Sequence, residues 1–307
     1  LGYDAIVCVK QVPDTANITG EAMKPDGTVN RAALPAVFNP EDLHALEAAL
    51  EVREEHGGTV TALTMGPPGA SEVLRECLYR GADRVILITD RRAAASDTLA
   101  TSYILSRAIK TIGRYDLVFC GRQAIDGDTA QVGPQLAEKL GIAQVTYFER
   151  FVELTGQTAR IRRDVGNGWE VLEARLPLLL TVPDIANEPR PFAARRVMQY
   201  KRARAECEIH NEVAAATLQA GDDQDDQKDV EAARRIESLK MKNLLIEQWD
   251  LDDVEADLNR CGLSGSPTRV HRIQSIVLKK EGHTEIPPTE QGVRKMVHDL
   301  IVDHTLG

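Results

Sequence analysis

Short, almost wholly apolar runs alternate with longer amphipathic stretches through the first 140 residues. "YDAIVCVK", "TVTALTM", "DRVILIT" and "DLVFCG" have the length and β-branched content of buried strands. Between and after them lie "PEDLHALEAALEVREEH", "ASEVLRECLYRG", "SDTLATSYILSRAIKTIG" and "TAQVGPQLAEKLG", whose apolar positions recur at helical spacing and whose ends carry glycines. Strands separated by helices of this length predict an α/β fold: a doubly wound, mostly parallel sheet with right-handed crossovers and helices on both faces. Near residue 144 the period changes to two. "QVTYFERFVEL" and "ARIRRDV", joined through Thr155–Gly156, and then "WEVLEARLPLLLTV", predict an antiparallel excursion that returns to the sheet through "PLLLTV".

From Asn187 onward the core signals fade. "NEPRPFAARRVMQYKRARAE" is basic, and "GDDQDDQK" is acidic and reads as a solvated linker. "VEAARRIESLKMKNLLIEQWD" predicts a helix, "CGLSGSPTRVHRIQSIVLKKEGH" an extended tail, and "TEQGVRKMVHDLIVDHTLG" a final amphipathic helix. The division expected is an α/β domain over residues 1–190 and, over 191–307, a loop, the acidic linker and an extended C-terminal arm that lies on another subunit.

Composition narrows the function. Hydrophobic residues make up 43% and aromatics 4% of the 307 residues, an aliphatic globular composition in which no apolar run is long enough for a transmembrane segment. The amino terminus reads as a strand without a secretory signal. Five cysteines without a CxxC pair point to a reducing, cytoplasmic setting and away from zinc or iron–sulfur clusters, and the seven histidines are scattered, so no metal site is expected. A net charge of −10 argues against nucleic acid as a partner.

Ligands of open α/β sheets lie beyond the carboxyl ends of the strands. The loops there are "VKQVPD", "NPED", "MGPPG", "TDRRAAASDT" and "GRQAIDGDTAQ", and none matches the dinucleotide fingerprint, the P-loop, GxSxG or HExxH. Asp128 and Gln131 have capping-box spacing, so Asp128 is expected to cap the last helix of the series. Its first N–H groups would then hold a phosphate without a lysine. Gly127 permits close approach, and Asp126, repelled by phosphate, suits a ribose hydroxyl or an amide. Ser96 or Asp97 can cap the helix of "SDTLATS", which places Thr98 and Thr101 on one face. Asn39 has two uses open to it, capping the turn of "NPED" or reading an adenine edge.

In order and spacing, "CVKQVPD", "NPED", "MGPPGA", "GADRVILITD", "GRQAIDGDTAQVGPQLAEKLG", "LPLLLTV" and "NEPR" closely resemble the beta subunit of electron-transferring flavoprotein over residues 3 to 200. The resemblance implies a heterodimer with an FAD-bearing alpha subunit, around which the C-terminal arm would wrap, and an adenine nucleotide, AMP in ordinary members. The implied nucleotide-binding residues are Cys8, Asn39, Pro40, Glu41, Asp42, Met65, Gly121, Arg122, Gln123, Ala124, Ile125, Asp126, Gly127, Asp128, Thr129, Ala130, Gln131 and Val132. "DGDTAQVGP", "SDTLATS" and "GLSGSPTRV" are similar to electron-bifurcating members. Those hold a second FAD in place of AMP, take hydride from NADH, and send electrons to ferredoxin or flavodoxin and, through the alpha-subunit FAD, to an acyl-CoA dehydrogenase-type flavoenzyme. Thr98, Thr101 and Thr129 would then serve its pyrophosphate and ribityl chain. Where the family presents a leucine to its partner enzyme this chain has Ala194, with Phe192 and Met198 as substitutes. The stretch from Ala205 to Cys261 is longer than is usual in the family.

Overall fold

The structure is a computed structural model that describes residues 2–14, 34–220, 225–268 and 286–302. Most of the extended tail and half of the acidic run lie outside these residues.

Eight strands form one sheet in the order β12-β13-β5-β4-β1-β6-β11-β7. They are β1 (Ala5–Cys8), β4 (Val60–Met65), β5 (Arg84–Ile88), β6 (Leu117–Gly121), β7 (Ala143–Val145), β11 (Leu178–Val182), β12 (Arg204–Ala205) and β13 (Leu245–Trp249). Every pairing in the sheet is parallel. A small antiparallel pair, β2 (Gln11–Pro13) with β3 (Ala36–Phe38), follows β1 at the end of the sheet.

Side chains of a strand point alternately to its two faces, and β1 divides its residues accordingly. Ala5 and Val7 join a core covered by α1 (Pro40–His56) and α2 (Ser71–Arg80). Ile6 and Cys8 join a second core under α3 (Thr98–Ile112) and α4 (Val132–Leu140). Because both faces are covered, "LVFCG" and "LLLTV" are buried at every position and show no alternation. The predicted doubly wound sheet is therefore present.

The antiparallel excursion is a three-stranded sheet, β8 (Phe148–Thr155), β9 (Thr158–Asp164) and β10 (Trp169–Arg175), after which β11 returns to lie between β6 and β7. Beyond residue 190 come α5 (Ala194–Tyr200), α6 (Glu206–Ala220), α7 (Asp225–Met241) and α8 (Glu290–Val302). The helix predicted through "VEAARRIESLKMKNLLIEQWD" is too long. Asn243 takes a left-handed conformation at φ 53°, and Leu244 N–H bonds back to Leu239 O, a turn that ends α7. "LIEQW" then enters the main sheet as β13 beside β5.

Candidate functional site

The strand order reverses at β1, which continues through β4 and β5 on one side and meets β6 on the other. Such a switch point opens a crevice beyond the strand ends. Here it is a cavity of about 910 Å³ with mostly apolar walls. Cys8, Met65 and Gly121 lie at the strand ends, Asp42 in the first turn of α1, Thr98 and Thr101 on α3, and Arg122 to Ala124, Asp126, Gly127 and Thr129 to Val132 along the β6–α4 loop and the start of α4. Asn39, Pro40, Glu41, Ile125 and Asp128 are not among the lining residues.

Asn39 and Glu41, together with Asp42, support the loop from behind. Asn39 is fully buried; its Nδ2 donates to Gln123 O at 2.9 Å and its Oδ1 accepts from Ile125 N at 3.1 Å. Asn39 thus stands at the N-cap position of α1 without a side-chain cap bond, and its amide is engaged in shaping the loop. Glu41 accepts from the Arg122 guanidinium at 2.6 Å and from Gln123 N at 2.7 Å. Asp42 accepts from Lys10 N at 2.8 Å and Gly121 N at 3.1 Å, fastening the ends of β1 and β6 together. A Cβ on Gly121 would stand 2.3 Å from Asp42 Oδ1, so only glycine allows this approach. Burial pushes the Asp42 carboxyl up to about 7, opposed by the Asn39 side chain and the two main-chain N–H groups.

Past Gly127 the chain departs from the sequence expectation. Asp128 and Ala130 both adopt left-handed conformations, at φ 47° and 51°, so α4 starts only at Val132. Asp128 is therefore not its cap: Gln131 occupies that position without a side-chain cap bond, and Asp128 Oδ1 accepts from Gln123 Nε2 at 3.1 Å. The amide argument survives in altered form. The N–H groups of Thr129 to Gly133 find no hydrogen-bond partner among the described residues, and all five residues line the cavity.

Opposite, Asp97 caps α3 by accepting from Ala100 N at 2.9 Å, and Ser96 bonds to Ala93 O instead. Thr98 Oγ1 donates to Gln131 Oε1 at 2.8 Å, joining α3 to the β6–α4 loop. Sequence reasoning overlooked two cations. Lys10 Nζ reaches Asp126 at 2.7 Å, and Arg91 lines the cavity beside Arg92, which is itself held by Asp90 and Asp252. The signal was present in both cases: each cation follows a buried strand, on the crevice side.

The site has little capacity for covalent chemistry. Cys8 and Cys120 are register partners on β1 and β6, and Cys8, together with burial, holds the Cys120 thiol well above its ordinary range. No group of three metal-ligating side chains occurs among the described residues. Unclaimed amides, threonine hydroxyls and apolar walls suit a neutral ring system joined to phosphate.

Of the predicted partner-binding residues, Ala194 opens α5. Phe192 packs edge-on against Tyr79 at 5.3 Å, with the Arg80 guanidinium 4.2 Å over its ring. Met198 is 67% exposed on α5. No helix among the described residues is long and apolar enough to cross a membrane.

A family model described as electron transfer flavoprotein domain matches residues 26–216. The chain is 38% identical over 299 residues to electron transfer flavoprotein subunit beta of Clostridium acetobutylicum, covering 97% of this chain and 98% of that one. It is 49% identical over 196 residues to acryloyl-CoA reductase electron transfer subunit gamma of Anaerotignum propionicum, covering 63% and 72%. With the caffeyl-CoA reductase-Etf complex subunit CarD of Acetobacterium woodii it shares 38% identity over 269 residues, covering 87% and 86%.

Proposed function

The chain belongs to the electron transfer flavoprotein family, among its beta subunits, and from that premise we propose that it holds FAD in the switch-point cavity as part of an electron-bifurcating heterodimer. The observation that carries this reading is the extent of the cavity. At about 910 Å³ it lies near the upper end of the roughly 300–1,000 Å³ usual for small-molecule sites, and it continues from Asp42 to Thr98 and Thr101 on α3.

The residues fit such a ligand. Asn39, Glu41 and Asp42 fix the β6–α4 loop, whose wall receives the adenosine moiety. The unclaimed N–H groups of Thr129 to Gly133 lie at the positive end of α4 and suit the pyrophosphate. Thr98 and Thr101 offer hydroxyls for the ribityl chain, and the apolar walls exclude water from the ring. Asp126, engaged by Lys10, is placed for a ribose hydroxyl. When bound, FAD would supply the redox chemistry: hydride acceptance from NADH and delivery of single electrons, one towards ferredoxin or flavodoxin and one towards the FAD of an alpha subunit. An acyl-CoA dehydrogenase-type flavoenzyme is the final acceptor, in keeping with the names of the acryloyl-CoA and caffeyl-CoA reductase relatives. Within 191–307, where β12 and β13 belong to the main sheet, the stretch around α5 is assigned to recognition and the C-terminal end to the arm that wraps the alpha subunit.

The test is the identity of the nucleotide released when the purified heterodimer is denatured. Two FAD per heterodimer are expected. One FAD with one AMP would make the protein a simple carrier between dehydrogenases and a quinone reductase, and would overturn the bifurcating reading.

A further inference from the structure

The chain returns to the cavity rim after Arg260. Ser96 Oγ accepts from Gly262 N at 3.0 Å. Ser266, buried, accepts from Asp97 N at 2.8 Å and donates to Gly262 O at 2.7 Å. The Asp97 carboxylate is shared: one oxygen takes Ala100 N at the start of α3, the other takes Thr268 N at 3.0 Å. Gly262 sits at φ 59°, where a Cβ would meet Arg92 O at 2.1 Å, so the turn lies flush against the Arg92–Asp97 loop. That loop supplies Ala93 to Asp97 to the cavity wall, and its Ala95 is held left-handed at φ 59°. A left-handed alanine is strained, so the loop needs support from outside itself. The turn over residues 261–268 gives that support.

We propose that this turn is a latch for the far half of the cavity, with Ser266 and Asp97 as positioning residues. They hold Thr98 and Thr101 where an elongated dinucleotide places its second phosphate and the chain beyond. This rests on the FAD reading above. The near half is built differently: Asn39, Glu41 and Asp42 hold the β6–α4 loop through α1, and none of these three bonds to the turn. Loosening the latch therefore acts on a ligand that spans both halves and spares one that fills only the near half. Linkage makes the effect reciprocal, so an elongated ligand also tightens the turn.

The experiment measures AMP and FAD affinities of the nucleotide-stripped, full-length protein with its partner subunit, for the parent, Ser266→Ala and Asp97→Asn. Removing the acceptor of the part-buried Asp97 N–H, or replacing the shared carboxylate by an amide, is expected to weaken FAD about tenfold and AMP less than about twofold. Hydrogen exchange should slow at Gly262 and Thr268 on adding FAD and not on adding AMP. Equal losses for both ligands, unchanged affinities, or exchange indifferent to FAD would each overturn the latch while leaving the FAD reading intact. A parent protein that binds AMP and refuses FAD would overturn the FAD reading itself, and the latch with it.

Discussion

Asp42 shows how one buried carboxyl joins strand ends at the cost of sensitivity to pH. Its folded-state pKa of about 7 lies above the ordinary 3.8, so between these values the folded protein binds more protons than the unfolded chain. Stability contributed by this group is thus present at the acid end and lost as pH rises, with a slope on the order of 1 kcal/mol per pH unit from about pH 4 to about pH 7. Asp42→Asn should remove that slope; urea midpoints of the two proteins across this range, converging or diverging, check it. Ala130 makes a second case. Left-handed at φ 51°, it should give way to glycine with a stability gain of up to about 1 kcal/mol, read as a raised melting temperature. A loss instead would mean that the alanine methyl makes a contact the backbone argument overlooks. These features also mark where residue-level reading stopped. "NPED" and "DGDTAQ" were legible as site loops from their places after strands. The spacing of Asp128 and Gln131 suggested a capping box because sequence does not display φ, and two left-handed residues moved the helix start to Val132. Asn39 stands at the N-cap of α1, yet its side chain bonds to Gln123, 84 residues away, which only the fold brings into reach.

At the scale of elements, the strands and helices of the first half lie close to where their patterns place them, since a strand buried on both faces and a helix buried on one leave unlike periods. The second half was less legible because its elements are stabilised by partners distant in sequence. β13 hides behind a helix whose amphipathic pattern runs almost into it, and only Asn243 marks the break. The junction of α2 with α6 depends on Arg75, buried, which donates to Glu208 at 2.9 Å, to Glu72 at 2.5 Å and to Ala203 O at 3.2 Å. Truncation leaves Glu208, itself mostly buried, without its counter-charge, a change that costs on the order of 3 kcal/mol. Arg75→Ala should therefore lower the denaturant midpoint markedly while nucleotide content per folded molecule is unchanged, because the residue lies outside the cavity wall. An equal fall in bound nucleotide would connect this junction to the site.

For the whole molecule, the question is how an acidic protein of net charge −10 presents a docking surface to an electron-accepting enzyme. The basic stretch through α5 is the exception to that acidity, and it separates Phe192 from Met198, the two apolar residues expected to stand in for the family's leucine. Phe192 is already engaged, with Tyr79 against its edge and Arg80 over its face. Arg196 on α5 adds bonds to Leu78 O and Ala82 O at the end of α2, which fixes the helix in place. Met198 projects from that fixed helix at 67% exposure and is flexible enough to pack against an irregular partner surface. The two residues should separate on substitution. Phe192→Ala loses an aromatic edge contact and a cation–π contact, about 1–2 kcal/mol, so it should lower the melting temperature. Met198→Ala removes an exposed side chain and should leave melting within about 0.5 kcal/mol of the parent. It should nevertheless slow electron delivery to the partner flavoenzyme about tenfold, as truncation of an interface anchor does, with flavin content unchanged. Stopped-flow reduction of the partner by each variant, alongside its melting curve, decides between them. Slow transfer in Phe192→Ala with normal melting, and normal transfer in Met198→Ala, would move the anchor to Phe192 and put the α5 surface outside the docking site.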